Sequence, residues 1–159
     1  MLYASGSIYF LIGGGIMTDL QNAKNVLSDS DFTCVVCCGD IIHTATDRGV
    51  APLLNWMDSG LNLKGFSAAD RVVGRATAFL YVLLGVQSVY ARVMSRPAAE
   101  VLQDHGIECQ WGTLTNGIIN RKGDGPCPFE AAVMDIRDAD LALEAIRRKR
   151  KQMQEAMGK

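Results

Sequence analysis

With 159 residues, 48% of them hydrophobic and 21% charged, the chain has the composition of one globular domain able to bury a proper core. A formal net charge of -1 excludes a general attraction to nucleic acid or to an anionic membrane, so such a partner would need a local patch. Five cysteines, three of them packed into Cys34-Val-Val-Cys37-Cys38, make a poor disulfide framework and point to reduced thiols in a cytoplasmic setting.

The first apolar run, Ile8 to Ile12, is stopped by Gly13-Gly14-Gly15, far short of the roughly 20 residues a membrane helix needs. The first lysine is Lys24, so the basic region of a signal peptide is missing. Residues 1–16 read as a disordered arm or a start assigned too early, and 17–159 as a single domain. Leu20, Ala23, Val26 and Leu27 recur at helical spacing behind Thr18 or Asp19 as N-cap. Phe32 to Cys38 and Ile41 to Thr44 flank Gly39-Asp40 and predict a hairpin. Pro52 to Met57 predicts a brief helix.

Ser67-Ala-Ala-Asp70 has capping-box spacing, and nearly everything from Ala68 to Leu84 is apolar or small before Gly85. The pattern predicts one long helix buried on most sides, with Asp70, Arg71, Gly74 and Arg75 as a narrow polar stripe near its start. Val86 to Met94 alternates as a strand. Ser95 then caps a helix with Pro97 in its first turn, ending at His105-Gly106. Ile107 to Leu114 is another strand and Ile118-Ile119 a short one. A turn-rich loop, Asn120 to Pro126, leads to a short helix at Cys127-Pro-Phe-Glu130, and Asp138 caps a last helix carrying the basic run Arg147 to Lys151. A hairpin followed by alternating helices and strands gives an α/β fold with a mixed sheet between helices.

Several stretches carry a resemblance. They are Ala68-Ala-Asp70-Arg-Val-Val-Gly74-Arg75-Ala, Tyr81 to Val86, Val89-Tyr90-Ala91, Ile119-Asn120-Arg121 and Gly125-Pro126-Cys127-Pro128-Phe129-Glu130. Together they resemble an uncharacterised bacterial family, domain of unknown function 1893, over about Thr18 to Ile146. The resemblance implies a cytidine-deaminase-like three-layer α/β/α sandwich with a mixed central sheet. A zinc deaminase needs His-x-Glu at one helix start and Pro-Cys-x-x-Cys at the next. Matching the predicted helices puts Ala68 and Asp70 at the first pair and Ser95 and Ala98 at the second, a set that cannot hold zinc as thiolate and imidazole do. No metal and no cofactor are therefore expected.

Asp70 is the first candidate for catalysis, as general acid or base, although a capping residue at that place needs no function. Lys64, Arg71 and Arg75 around the same helix start suit an anion such as a phosphate, with Gly74 permitting close approach. Cys127 between two prolines is the nucleophile candidate, with Glu130 as its proton partner, against the commoner fate of a structural cysteine. Ser95, Asn120 and Arg121 complete the expected ligand contacts. The favoured reading is a binding or sensing module for a nucleotide or other phosphorylated small molecule. The alternatives are a metal-independent transferase or hydrolase using Cys127, and an interaction scaffold working through the basic C-terminal helix. Without interleaved aromatics that helix is a weak nucleic-acid signal; a homo-oligomer is expected only by analogy.

Overall fold

A computed structural model describes residues 2–4, 7–12 and 15–158, with side chains from Met17 to Gly158. Three short strands, β1 (Leu2–Ala4), β2 (Ser7–Ile12) and β3 (Gly15–Met17), pair antiparallel in that order. The expectation of a disordered arm or an early start over residues 1–16 falls in part on residues outside those described.

Helix α1 (Asp19–Ser28) begins with a complete capping box, Thr18 accepting from the Gln21 N–H while the Gln21 side chain accepts from the Thr18 N–H. Buried Asp19 accepts from the Gly39 N–H at 3.0 Å, tying the helix to the predicted hairpin turn. That hairpin is β4 (Cys34–Cys38) and β5 (Ile41–Ala45), and Gly39 turns it with φ +60°. Helix α2 (Ala51–Asp58) follows with Pro52 in its first turn.

The predicted long helix is divided. Ser67–Val73 is a strand, β6, and only Arg75–Leu84 is helical, as α3, with Gly74 between them. A central strand buried on both faces loses its alternation, and small apolar residues then read equally well as buried helix. Asp70 is accordingly not a capping residue; it lies within the sheet. Strand β7 (Ser88–Ser95), helix α4 (Arg96–Asp104), strand β8 (Glu108–Thr115), helix α5 (Pro128–Val133) and helix α6 (Ala139–Met157) complete the chain. The basic run lies mid-way along α6 rather than at its end, and Arg147 and Arg150 engage Asp58 of α2.

The main sheet runs β5-β4-β6-β7-β8, with β4 antiparallel to both neighbours and β6, β7 and β8 parallel. Helices cover both faces. Ala23 and Leu27 of α1 pack on Val35, Cys37 and Ala69, while Cys34, Val36 and Ala68 face the larger core with α2, α3, α4 and α6. Cys34 and Cys37 thus point to opposite faces, as strand geometry requires. Cys37 is filling, its thiol pushed up to about 12 by burial and then by the nearby charges of Asp19 and Cys38.

Dividing the helix also undoes the residue matching to the zinc motif. Ala68 sits opposite Val89, six residues before Ser95 on β7, which is roughly 20 Å of strand. Ser95 is fully buried and caps α4 by accepting from the Ala98 N–H at 3.1 Å, so it is not a ligand contact. Ser95→Ala is expected to lower stability by about 1–2 kcal/mol. In urea titrations the midpoint should fall with the slope unchanged.

Candidate functional site

The carboxyl end of β6, the start of α3, the turn before α2 and the segment from Ile118 to Glu130 enclose a cavity of about 310 Å³. It lies beside the place where the parallel strands give way to antiparallel β4, the crevice where open α/β sheets commonly bind ligands. Asp70, Arg71, Gly74, Cys127 and Glu130, all singled out by the sequence, line it together.

Asp70 is 8% exposed and registers between Cys34 on β4 and Ala91 on β7. Tyr81, projecting from α3, donates its hydroxyl to Asp70 Oδ2 at 2.7 Å, and Cys34 Sγ lies 3.0 Å from the same hydroxyl. The Val72 N–H reaches Oδ1 at 3.4 Å. Burial pushes the Asp70 carboxyl up to about 6, against the pull of these donors. A carboxyl in that range exchanges its proton near neutrality, which general acid–base chemistry requires. Cys34 and Tyr81 behave differently: burial, and next the charge of Asp70, hold both well above their ordinary values.

Glu130 has a different task. It reaches from α5 to the start of α3 and accepts the Arg75 N–H at 2.8 Å and the Ala76 N–H at 3.2 Å. Gly74, the N-cap, has no side chain to offer, so Glu130 is the cap. A Cβ on Gly74 would stand 2.2 Å from Glu130 Oε1 and 3.0 Å from Ile118 Cγ1, so glycine is required by space rather than by φ. Arg75 answers in the other direction. Its Nε donates to the Val133 carbonyl at 3.1 Å, its Nη2 donates to the Ile136 carbonyl, and it lies over the Phe79 ring. The guanidinium expected to hold a phosphate is spent on the end of α5. Burial pushes the Glu130 carboxyl up, while the two N–H groups and Arg75 pull it down.

Two arginines stay uncommitted. Arg71 Nε is buried and has no hydrogen-bond partner, an arrangement that ordinarily costs about 1–3 kcal/mol. Arg48, exposed and just before α2, lines the same cavity. Among the described residues, ion pairs form only between Asp58 and Arg147 or Arg150, so neither arginine of the cavity is in one.

Other expectations are not met in space. Lys64 lies beside Gly85, at the far end of α3 from the cavity. Asn120 donates to Asp124 Oδ1 at 2.8 Å and braces its own loop, and exposed Arg121 does not line the cavity. Cys127 is the half-buried N-cap of six-residue α5. Neither histidine joins it: His43 stacks on Phe66 and His105 Nδ1 bonds the Val101 carbonyl at 2.8 Å. Among the described residues, no three of His, Cys, Asp or Glu gather as a metal ion would need. Sequence reasoning missed Arg48, Thr33 and Thr77 on the cavity wall, and Tyr81 behind it. Only Tyr81 left a signal, since a tyrosine inside a buried helix must find a partner for its hydroxyl. A second hollow of about 600 Å³, reaching Glu100, Asp104 and Arg137, adjoins the first across Ile118 and Glu130.

A mixed five-stranded sheet with helices on both faces and a cavity at its strand ends defines an α/β domain built around a small-molecule-sized hollow. The family model described as TM1506, domain of unknown function (DUF1893), matches residues 22–149, and the chain belongs to that family. The crystal structure of a DUF1893 family protein from Thermotoga maritima has a similar fold. Its TM-score is 0.74 at 24% identity, covering 84% of this chain and 88% of that one. No curated protein matches. No helix among the described residues is long and apolar enough to cross a membrane.

Two outcomes follow from the geometry. Asp70 has a folded-state value above its ordinary 3.8, so the native state holds the extra proton between about 4 and 6. Its contribution is favourable below that window and is lost as pH rises through it. Asp70→Asn keeps an acceptor for Tyr81; it should match the wild type near pH 4 and be more stable at pH 7.5, by up to about 3 kcal/mol. Denaturant titrations across that range check it. Gly74→Ala should cost about 2–4 kcal/mol, and Glu130→Ala about 1–2, with the double variant falling short of the sum by about 1 kcal/mol or more. Strict additivity in that cycle would mean that the two residues do not share one space.

Proposed function

We propose that this chain is a cytidine-deaminase-like domain that binds a nucleotide or other phosphorylated small molecule as a binding or sensing module. Support for the fold comes from strand order. An antiparallel hairpin strand lies next to the first of three parallel strands, and β6, α3, β7, α4 and β8 follow as successive crossovers. Among the helix starts that line the cavity are those of α2 and α3. They carry Val50, Ala51 and Pro52 on one side and Gly74, Arg75, Ala76 and Thr77 on the other. The start of α5 adds one cysteine, Cys127, and no histidine lines the cavity among the described residues; a lone thiol favours chemistry or binding without zinc.

One observation carries the ligand reading. Two segments distant in sequence, β6 and the start of α5, deliver a buried titratable carboxyl, a buried unmatched guanidinium N–H and a half-exposed thiol to one hollow. Packing alone does not call for that combination.

The enzymatic alternative keeps one supporting feature, Cys127 at the cavity wall with Asp70. It then has Cys127 as nucleophile and Asp70 as acid or base, with Glu130 withdrawn from that role because its oxygens already cap α3. A thermal-shift screen with nucleotides and sugar phosphates tests the main reading; a true ligand raises Tm in proportion to the logarithm of its concentration above Kd. If none does, the binding reading fails. Cys127→Ser should leave that shift within about 0.5 kcal/mol in a binding module. In the enzyme it should abolish turnover, and Cys127 should alkylate faster than a free thiol at neutral pH.

A further inference from the structure

We infer that Arg71 and Arg48 form the anion subsite of this cavity and grip the phosphate group of the ligand between β6 and the turn before α2. The inference rests on the binding reading above and specifies where the charged end of the ligand goes. The sequence placed the phosphate on the open start of the helix, with Arg75 and Lys64. That place is filled from within: the Arg75 and Ala76 N–H groups already hold Glu130, Arg75 is anchored to the end of α5, and Lys64 is at the other end of α3.

Elimination leaves the two arginines of the cavity wall, and the state of Arg71 points the same way. Its Nε–H is sealed from water with no acceptor in reach, so turning the side chain toward the hollow breaks no hydrogen bond there and lets the guanidinium find acceptors. The carboxyl groups of the same cavity do not meet that need. Asp70 receives Tyr81 and the Val72 N–H and is held toward its neutral form by burial, and Glu130 receives the start of α3. Both carboxyl groups are thus already engaged elsewhere, and neither forms an ion pair with Arg71. Arg48, which lines the same hollow and is in no ion pair, supplies a second set of donors. Two guanidinium groups facing one hollow match the several acceptor oxygens of a phosphate.

Arginine Nε–H resonances of the full chain, followed by NMR while inorganic phosphate is added to tens of millimolar, read the subsite directly. The Arg71 signal, assigned by its loss in Arg71→Lys, should move and saturate. Arg48→Ala, an exposed position that does not threaten folding, should weaken that response by about tenfold. An Arg71 signal that does not move, or a response of equal midpoint in Arg48→Ala, overturns the inference. The two readings fail separately. An uncharged compound that stabilises the wild type and Arg48→Ala equally, while Arg71 ignores phosphate, removes the subsite and leaves the binding cavity standing. A saturable Arg71 response to phosphate, with no larger compound raising Tm, supports the subsite and removes the nucleotide-sized ligand.

Discussion

Two helices exchange their caps, and the cavity depends on it. Glu130 of α5 closes the amino end of α3, and Arg75 at the start of α3 closes the carboxyl end of α5 through the Val133 and Ile136 carbonyls. Each charge meets the helix end of opposite polarity, so the macrodipoles favour both contacts. Six-residue α5 is too short to stand alone, and this exchange is what holds it, and the loop leading into it, over the end of β6. Gly74 makes the exchange possible, because any Cβ there would occupy the position of the carboxylate. Remove the pair and the cavity loses the wall that carries Ile118, Cys127 and Phe129.

Much of this was legible in the chain, and the illegible parts have physical reasons. Local signals named their elements correctly: Thr18 as one of two N-cap candidates for α1, the Gly39 turn, Ser95 before Pro97, and Asp138 at the start of α6. Each depends on atoms within a few residues of one another, which a sequence displays. The division at Gly74 was hidden because β6 is buried on both sides, and burial erases the two-residue period that separates strand from helix. With it went the reason for Gly74, whose obstacle comes from a residue 56 positions later. The sequence singles out both Arg75 and Glu130 but gives the first a ligand and the second the role of proton partner to Cys127, since nothing local shows that each is the other's structural partner. Arg48 gave no sign at all, because a turn arginine becomes a cavity wall only when β4, β6 and α2 are assembled around it.

The two carboxyl groups of the cavity then divide their labour by environment. Both are raised by burial, yet Glu130 is fastened by two helix N–H groups and cannot leave without exposing them. Asp70 is held instead by the Tyr81 phenol, the Val72 and Arg71 N–H groups and the Cys34 thiol, none of them at a helix end, and it borders the hollow. Of the two, Asp70 is the group able to change its proton without unpicking a helix. Its partner Tyr81 keeps its own proton, held well above the ordinary range by burial, and so acts as a fixed donor that orients the carboxyl.

That arrangement is more expensive than packing requires. The Tyr81 hydroxyl needs an acceptor, and a neutral amide would serve without the penalty of burying a charge at neutral pH. The same holds one residue further along β6, where Arg71 Nε lies in a dry position that an apolar side chain would fill at less cost. Two such departures from local consistency, in one hollow at the ends of parallel strands, concentrate where chemistry or recognition is done, while the rest of the core follows the ordinary rules of burial. The stability forgone at Asp70 and Arg71 is affordable because the exchanged helix caps hold the wall independently of either residue, so a ligand can enter without the fold having to be remade.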